Sequence, residues 1–222
     1  MILDLINKCT SKNTILIRIL IIKSHFIFFC LSYINQKGRK QMLQHKDNFS
    51  EEVYLMLQQL DSQTLSHCTH ANNIAEEFEN EINDSSHLLS DAALVHDIGK
   101  LYISSLILNK VEKLTTLERQ IINLHSYYSY KILKDMNIND KICKIVLYHH
   151  GMNPLTLEPI PRCEDKEILK YAKMLHTIDV YEALTSSRIY RNSFSQKEAI
   201  NIMEKEANYD NQVMDFLQNI RI

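Results

Sequence analysis

Ten histidines stand among the 222 residues of this chain. Five of them, together with two aspartates, fall where apolar core should be. His67, His96, Asp97, His125, His149, His150 and Asp179 each continue a run of apolar residues spaced three or four apart, the spacing that puts side chains on one helix face. A single such imidazole is ordinarily a hydrogen-bonded core residue. This many inward titratable groups are harder to neutralise by pairing, because a buried carboxylate without a partner costs several kcal/mol or becomes protonated. Divalent ions satisfy all of them at once, since imidazole nitrogen and carboxylate oxygen are good donors to Fe, Mn, Zn or Ni. The mixed N/O set carries no thiolate, which argues against a structural zinc site. His96-Asp97-Ile98-Gly99-Lys100 is the sharpest local signal. Neighbours on a helix diverge by about 100°, so His96 and Asp97 do not chelate one ion side by side. At a cleft, Asp97 can bridge two ions while His96 holds one. Gly99 permits a sharp helix exit, and Lys100 then delivers a cation beside the ions.

Such groups need helices to carry them. Leu57, Leu60, Thr64, His67, Ala71 and Ile74 read as one unbroken stripe; Leu89, Ala92 and Ala93 lead into His96 and Asp97. Thr115 and Glu118 form a capping-box pattern that opens a helix whose stripe of Leu117, Ile121, Leu124 and Tyr128 has His125 on the same side. Ile142, Ile145 and Val146 lead into His149 and His150, with Gly151 placed to end that helix; Ile168, Ala172 and Leu175 point to Asp179. Bringing ligands from several helices into a bundle core is a known way to build a two-metal centre. Three Gly and three Pro are too few for the tight turns of a sandwich, a barrel or a Rossmann-type sheet. The expected fold class is all-α, a helical bundle around a binuclear metal centre.

The formal charge of −2 provides no broad basic field, so no DNA or RNA polymer is expected as partner. Five Cys, an odd number without C-x-x-C spacing, suit reduced thiols in a cytoplasm. Residues 1–41 differ in character from 42–222, which read as a single helical domain. Ile15 to Ile34 is apolar and long enough to cross a bilayer, but Arg18, Lys23 and His25 interrupt it, and a central Arg or Lys costs about 2.5–3.5 kcal/mol on insertion. Two readings stand for this segment: an anchor attaching a cytoplasmic domain to a membrane through residues 15–34, or a disordered tail or mis-called start, Met42 then being the true start.

The ordered series His67, His96-Asp97-x-Gly99-Lys100, His125, His149-His150 and Asp179 resembles the ligand series of the HD-GYP phosphodiesterases, a branch of the HD superfamily of metal-dependent phosphohydrolases. Leu60-Asp61 through Thr64, Asn109-Lys110 through Glu118, and Ser195 to Met203 also resemble segments of that family. Asp179-Val-Tyr-Glu-Ala-Leu-Thr-Ser-Ser-Arg188-Ile-Tyr-Arg191 is close to its Asp-x-Tyr-Asp-Ala-Leu-Thr-x-x-Arg-x-Tyr-Arg signature. The resemblance begins near Ser50 and reaches the C-terminus. The namesake stretch departs: after His149-His150 the chain reads Gly-Met-Asn-Pro-Leu-Thr-Leu-Glu, and only Pro154 echoes the Gly-Tyr-Pro element. Gln63 stands four residues before His67, where some members carry an acidic residue that supports a third metal.

The resemblance implies hydrolysis of a cyclic dinucleotide, cyclic-di-GMP first, with two divalent transition-metal ions, iron or manganese favoured. It places His67, His96, Asp97 and Asp179 around one ion, and Asp97, His125, His149 and His150 around the other. Lys100 neutralises a phosphate oxygen, and Arg188 and Arg191 clamp phosphate oxygens of the substrate. His70, His87 and His176 have no ligand role in this reading. The altered loop keeps two alternatives open: an HD-type hydrolase for another nucleotide or phosphate ester, and a weakly catalytic nucleotide-binding regulatory module.

Overall fold

Local capping sets the first helix boundaries. The computed structural model describes residues 49–151, 162–187, 192–206 and 208–220; residues 1–41 and the candidate anchor at 15–34 lie outside these. Helix α1 (Glu51–Leu57) ends before Asp61, whose carboxylate accepts from the backbone N–H groups of Gln63 and Thr64 and so opens α2 (Ser62–Glu81). The expected unbroken stripe from Leu57 to Ile74 is therefore interrupted. Leu57 and Leu60 are buried from one side of the break, His67, Ala71 and Ile74 from the other. A carboxylate cap of this kind contributes about 1 kcal/mol, which is enough to place the break at Asp61.

Helix α3 (Leu88–Val95) has no side-chain cap of its own. Glu79, from α2, supplies one: its Oε1 accepts from Leu89 N at 2.8 Å and Ser90 N at 3.2 Å. All eight residues of α3 are buried, so a short apolar helix is threaded through the core and fixed at its start by a buried carboxylate. A 3₁₀ turn (Ile98–Tyr102) follows, then α4 (Ser105–Leu108) and α5 (Thr116–Asn123). The capping box at Thr115 and Glu118 is present with both of its bonds, and Lys110 pairs with the Glu118 carboxylate at 2.7 Å.

The helix expected to run through His125 breaks at Leu124, and α6 (His125–Asp135) begins with the histidine itself. Leu117 is 58% exposed, and no residue of α5 is buried. The buried face belongs instead to α6, through His125, Ser126, Tyr127, Ser129, Ile132 and Leu133. Then come α7 (Asp140–Tyr148), ended by Gly151 at φ 74° as expected, α8 (Lys166–Thr185), α9 (Gln196–Met203) and α10 (Asn211–Asn219).

Every regular element among the described residues is helical, so the chain is all-α. Helices α3 and α8 pack on each other and on both α2 and α7, and α6 packs on the 3₁₀ turn and on α7. Phe78, Leu89, Ile98, Leu133, Ile145, Leu175 and Tyr181 are fully buried between them. No helix among the described residues is long and apolar enough to cross a membrane.

Candidate metal centre

The seven inward residues come together. His67 projects from α2; His96 caps the C-terminal end of α3; Asp97 opens the 3₁₀ turn; His125 starts α6. His149 caps α7, His150 follows it, and Asp179 lies on α8. Because His96 and Asp97 sit where a helix gives way to a turn, the ~100° divergence of helix neighbours does not apply. Both reach the same space, with His96 Nε2 3.5 Å from Asp97 Oδ2. Helices α3 and α7 both end here, and the negative ends of their dipoles favour a cation.

The hydrogen bonds on the far side of each ring decide what the near side offers. Nδ1 of His96 donates to Ala93 O at 2.7 Å, Nδ1 of His125 to Ile122 O at 2.8 Å, and Nδ1 of His149 to Val146 O at 2.6 Å. A carbonyl only accepts, so each proton sits on Nδ1 and each neutral ring turns an Nε2 lone pair inward. His125 Nε2 and His149 Nε2 then face each other at 3.4 Å. Two facing lone pairs repel unless a cation stands between them. This is the observation on which a metal fits the residues present. His67 is turned the same way by a carboxylate: its Nδ1 bonds Glu182, and its Nε2 lies 3.2 Å from His96 Nε2 and 3.0 Å from Asp179 Oδ1.

Asp97 has one oxygen toward each group, Oδ1 3.2 Å from His125 Nε2 and Oδ2 3.7 Å from His67 Nε2. Donor atoms of His67, His96 and Asp179 lie within 4.8 Å of one another, and so do those of His125, His149 and His150. Lys100 Nζ is 2.5 Å from Asp97 Oδ2, beside the centre as the sequence predicts. Burial opposes ionisation of Asp97, yet Lys100 and the imidazoles hold its carboxyl well below the usual range. Asp179 is held low chiefly by His67, again against burial. Burial pushes His125 down to about 3, His150 to about 4, and His149 well below its ordinary value. His67 goes the other way: burial works against its charge, but Asp179 and Glu182 raise it to about 10.

These shifts set the direction in which the stability of chelator-treated protein is expected to change with pH. His125, His149 and His150 have folded values below the unfolded value near 6.5, so the stability tied to their neutral rings is complete above about 6.5 and lost as pH falls. Each ring that resists protonation weakens the fold by about 1.4 kcal/mol per pH unit. The contribution of His67 is complete below about 6.5 and is lost as pH rises from there through about 10, so it does not offset the acid loss. Chelator-treated protein is expected to show a urea midpoint that falls steadily from about pH 6.5 toward pH 4. A flat or rising midpoint over that window would contradict buried neutral histidines.

Three residues that no sequence motif singles out as ligands stand at the centre. Glu182 is buried and joins His67 Nδ1 to His70 Nδ1, the latter at 3.3 Å, and it also accepts from Ser186. Its position three residues after Asp179, on the same helical face, was the available signal. Ser129 donates to His96 O at 2.6 Å and accepts from Gly99 N at 2.8 Å. His176 has a donor atom within 4.8 Å of those of His150 and Asp179. Cys68 Sγ also lies within that range of His96 and Asp97 donors, but burial pushes its thiol well above the ordinary value, so it stays protonated there. Gly99 has no positive φ; its role is to admit α6, since a Cβ there would lie 2.2 Å from His125 O. Arg188, Arg191 and Pro154 lie outside the described residues. Beside His67 a cavity of about 470 Å³ is lined by Ser62, Gln63, Ser66, His70, Glu182 and Ser187.

A family profile described as "HD domain" matches residues 48–213. Among curated proteins, the chain is 34% identical over 124 residues to a cyclic di-GMP phosphodiesterase of Pseudomonas aeruginosa, covering 55% of this chain and 30% of that protein. It is 32% identical over 126 residues to a 3'3'-cGAMP-specific phosphodiesterase of Vibrio cholerae, covering 56% and 27%. The chain thus spans less than a third of the length of these curated relatives. Among solved structures, the HD domain of the L. monocytogenes phosphodiesterase PgpH matches with a TM-score of 0.54 at 19% identity, over 77% of this chain and 95% of that one. That likeness concerns the fold.

Proposed function

The chain belongs to the HD-domain family, and on that premise we propose that it is a metal-dependent phosphodiesterase cleaving a cyclic dinucleotide, cyclic di-GMP first. The observation that carries the reading is Asp97, set with one carboxylate oxygen toward the His67–His96 side and the other toward His125. His67, His96 and Asp179 would hold one ion, and His125, His149 and His150 the other, with Asp97 shared; iron or manganese suits these donors. When bound, such a pair polarises the phosphodiester and acidifies the attacking water. The relatives named for cyclic di-GMP and 3'3'-cGAMP support the substrate class.

The remaining work falls to the chain's own side chains. Glu182 holds the His67 ring by its Nδ1, and three backbone carbonyls do the same for His96, His125 and His149. The donors are therefore oriented before anything binds, which raises ligand basicity and fixes the tautomer. Lys100 Nζ lies 2.5 Å from Asp97 Oδ2. With that carboxylate committed elsewhere, its ammonium is available to a phosphate oxygen as charge builds there. The cavity next to His67 has Ser187, which immediately precedes Arg188, on its wall. This supports a substrate lying along α2; the phosphate-clamp roles of Arg188 and Arg191 rest on the signature their sequence resembles.

With the Gly-Tyr-Pro element absent from the sequence, slow cleavage of cyclic di-GMP is expected, with related cyclic dinucleotides tolerated. Arg188→Ala should lower turnover roughly tenfold to a hundredfold, the worth of one charge-assisted hydrogen bond, and leave bound metal unchanged. Turnover of metal-loaded protein against a panel of cyclic dinucleotides and linear nucleotides tests this. Inert cyclic dinucleotides beside a readily hydrolysed mononucleotide would instead make it an HD-type hydrolase for another phosphate ester.

A further inference from the structure

We propose that His176 is a further ligand of the centre, completing with His150 and Asp179 a third position for a divalent transition-metal ion. The proposal rests on the reading of the centre as a metal site and goes beyond the pair assigned above.

His176 precedes Asp179 by three residues on α8, so both project from the same face of one helix. Donor atoms of His150, His176 and Asp179 lie within 4.8 Å of one another. Nδ1 of His176 is buried and has no hydrogen-bond partner among the described residues. The other rings of the centre contrast with this, because His67, His96, His125 and His149 each have Nδ1 tied to an oxygen. The ring is also held in place. It stacks on Tyr209 with centroids 5.7 Å apart and planes 17° apart, and it meets His150 edge-on at 5.5 Å. Tyr209 is itself fixed by a 2.8 Å bond to Glu206, and Asp210 N by a 2.9 Å bond to Thr177 on α8.

The two carboxylates divide their oxygens among three positions. Asp97 Oδ2 faces His67 and His96, and its Oδ1 faces His125. Asp179 Oδ1 lies 3.0 Å from His67 Nε2 and 3.8 Å from His96 Nε2, while its Oδ2 lies 3.6 Å from His150 Nε2. His67, His96, Asp97 Oδ2 and Asp179 Oδ1 therefore make a central position. On one side, His125 lies 3.2 Å from Asp97 Oδ1 and faces His149. On the other, His150 and His176 share Asp179 Oδ2. The two carboxylates thus reach all three positions, and His150 stands within range of both outer ones. Two nitrogens and one carboxylate oxygen suit a transition ion with a coordination position left open. The acidic residue that resembles a third-metal support elsewhere in the family is Gln63 here, so this position draws on a different helix face.

Equilibrium dialysis of the metal-free full chain against cobalt(II) alone, with cobalt per chain read by elemental analysis, tests the assignment. Wild type is expected to bind about three ions per chain, and both His176→Ala and His176→Phe about two. The Phe variant keeps an aromatic ring against Tyr209, so a loss seen in both variants reports the ligand rather than the packing. About two ions in wild type and in both variants would overturn the third position and leave the pair standing. About three in all of them would overturn the role of His176, and none in wild type would overturn the metal centre itself.

Discussion

Asp97→Ala is expected to strip the paired metal positions and to lower phosphodiesterase turnover at least about a hundredfold to a thousandfold, the scale seen when one essential electrostatic group is removed. Asp97 is 1% exposed, and its two oxygens face different histidine groups. No other described carboxylate does this for both His125 and His96, so its loss separates two sites that share a wall. The same change leaves Lys100 without the carboxylate 2.5 Å from its ammonium. Breaking a buried pair costs about 3–5 kcal/mol. The Lys100 side chain keeps 18% of its surface exposed, so the expected stability loss falls toward the lower end of that range. Asp97→Asn separates the two effects: it keeps the shape, and its neutral amide is a poor bridge between two cations. It should therefore be nearly as inactive and as poor in metal as the alanine variant. Elemental analysis alongside turnover checks this, and wild-type metal content with wild-type turnover in either variant would refute the bridging role.

The sequence made legible which residues turn inward, because helical periodicity is a local property. Leu89, Ala92 and Ala93 are buried, as are Ile142, Ile145 and Val146, and each run ends in the histidine that the spacing placed there. The capping box at Thr115 and the helix stop at Gly151 were readable for the same reason: cap and capped group are a few residues apart. What stayed hidden depends on contacts between segments. Helix α3 is capped by Glu79, reaching across from α2, and no pattern within α3 signals that. Leu117 fits an apolar stripe yet stays exposed, because the helix that bears it stops at Asn123 and the burial passes to α6. Periodicity also gave His67 and Asp179 their face without naming what orients them. Glu182 is acidic, and its burial against His67 and Ser186 appears only when α2 and α8 are docked.

Gly99→Ala is expected to be among the most damaging single-methyl additions to this chain, although nothing in the backbone conformation of Gly99 demands glycine. A Cβ at this position would lie 2.2 Å from His125 O, 2.5 Å from Ser129 N and 2.8 Å from Ser129 Oγ. Two of these are backbone atoms of α6 and cannot rotate away. Relief requires α6 to retreat from the 3₁₀ turn by roughly 1 Å, since ordinary carbon contacts begin near 3.5 Å and some of the gap is absorbed elsewhere. That retreat stretches the bonds from Gly99 N to Ser129 Oγ and from Ser129 Oγ to His96 O, which tie the start of α6 to the His96–Asp97 corner. His125 rides on α6 and Asp97 on the turn, and their 3.2 Å approach opens with them. Overpacking of this kind costs about 1–3 kcal/mol or more, equivalent to a fall in melting temperature of roughly 2–12 °C for a domain of this size. A displacement of about 1 Å at the reacting geometry costs about a hundredfold in rate. Ser129→Ala is the companion variant: it removes the hydroxyl link while leaving the close approach intact, so its effects should be smaller on both measures. Thermal melts and turnover of the two variants decide the matter, and a Gly99→Ala protein that melts and turns over like wild type would show that α6 does not depend on this contact to bring His125 to Asp97.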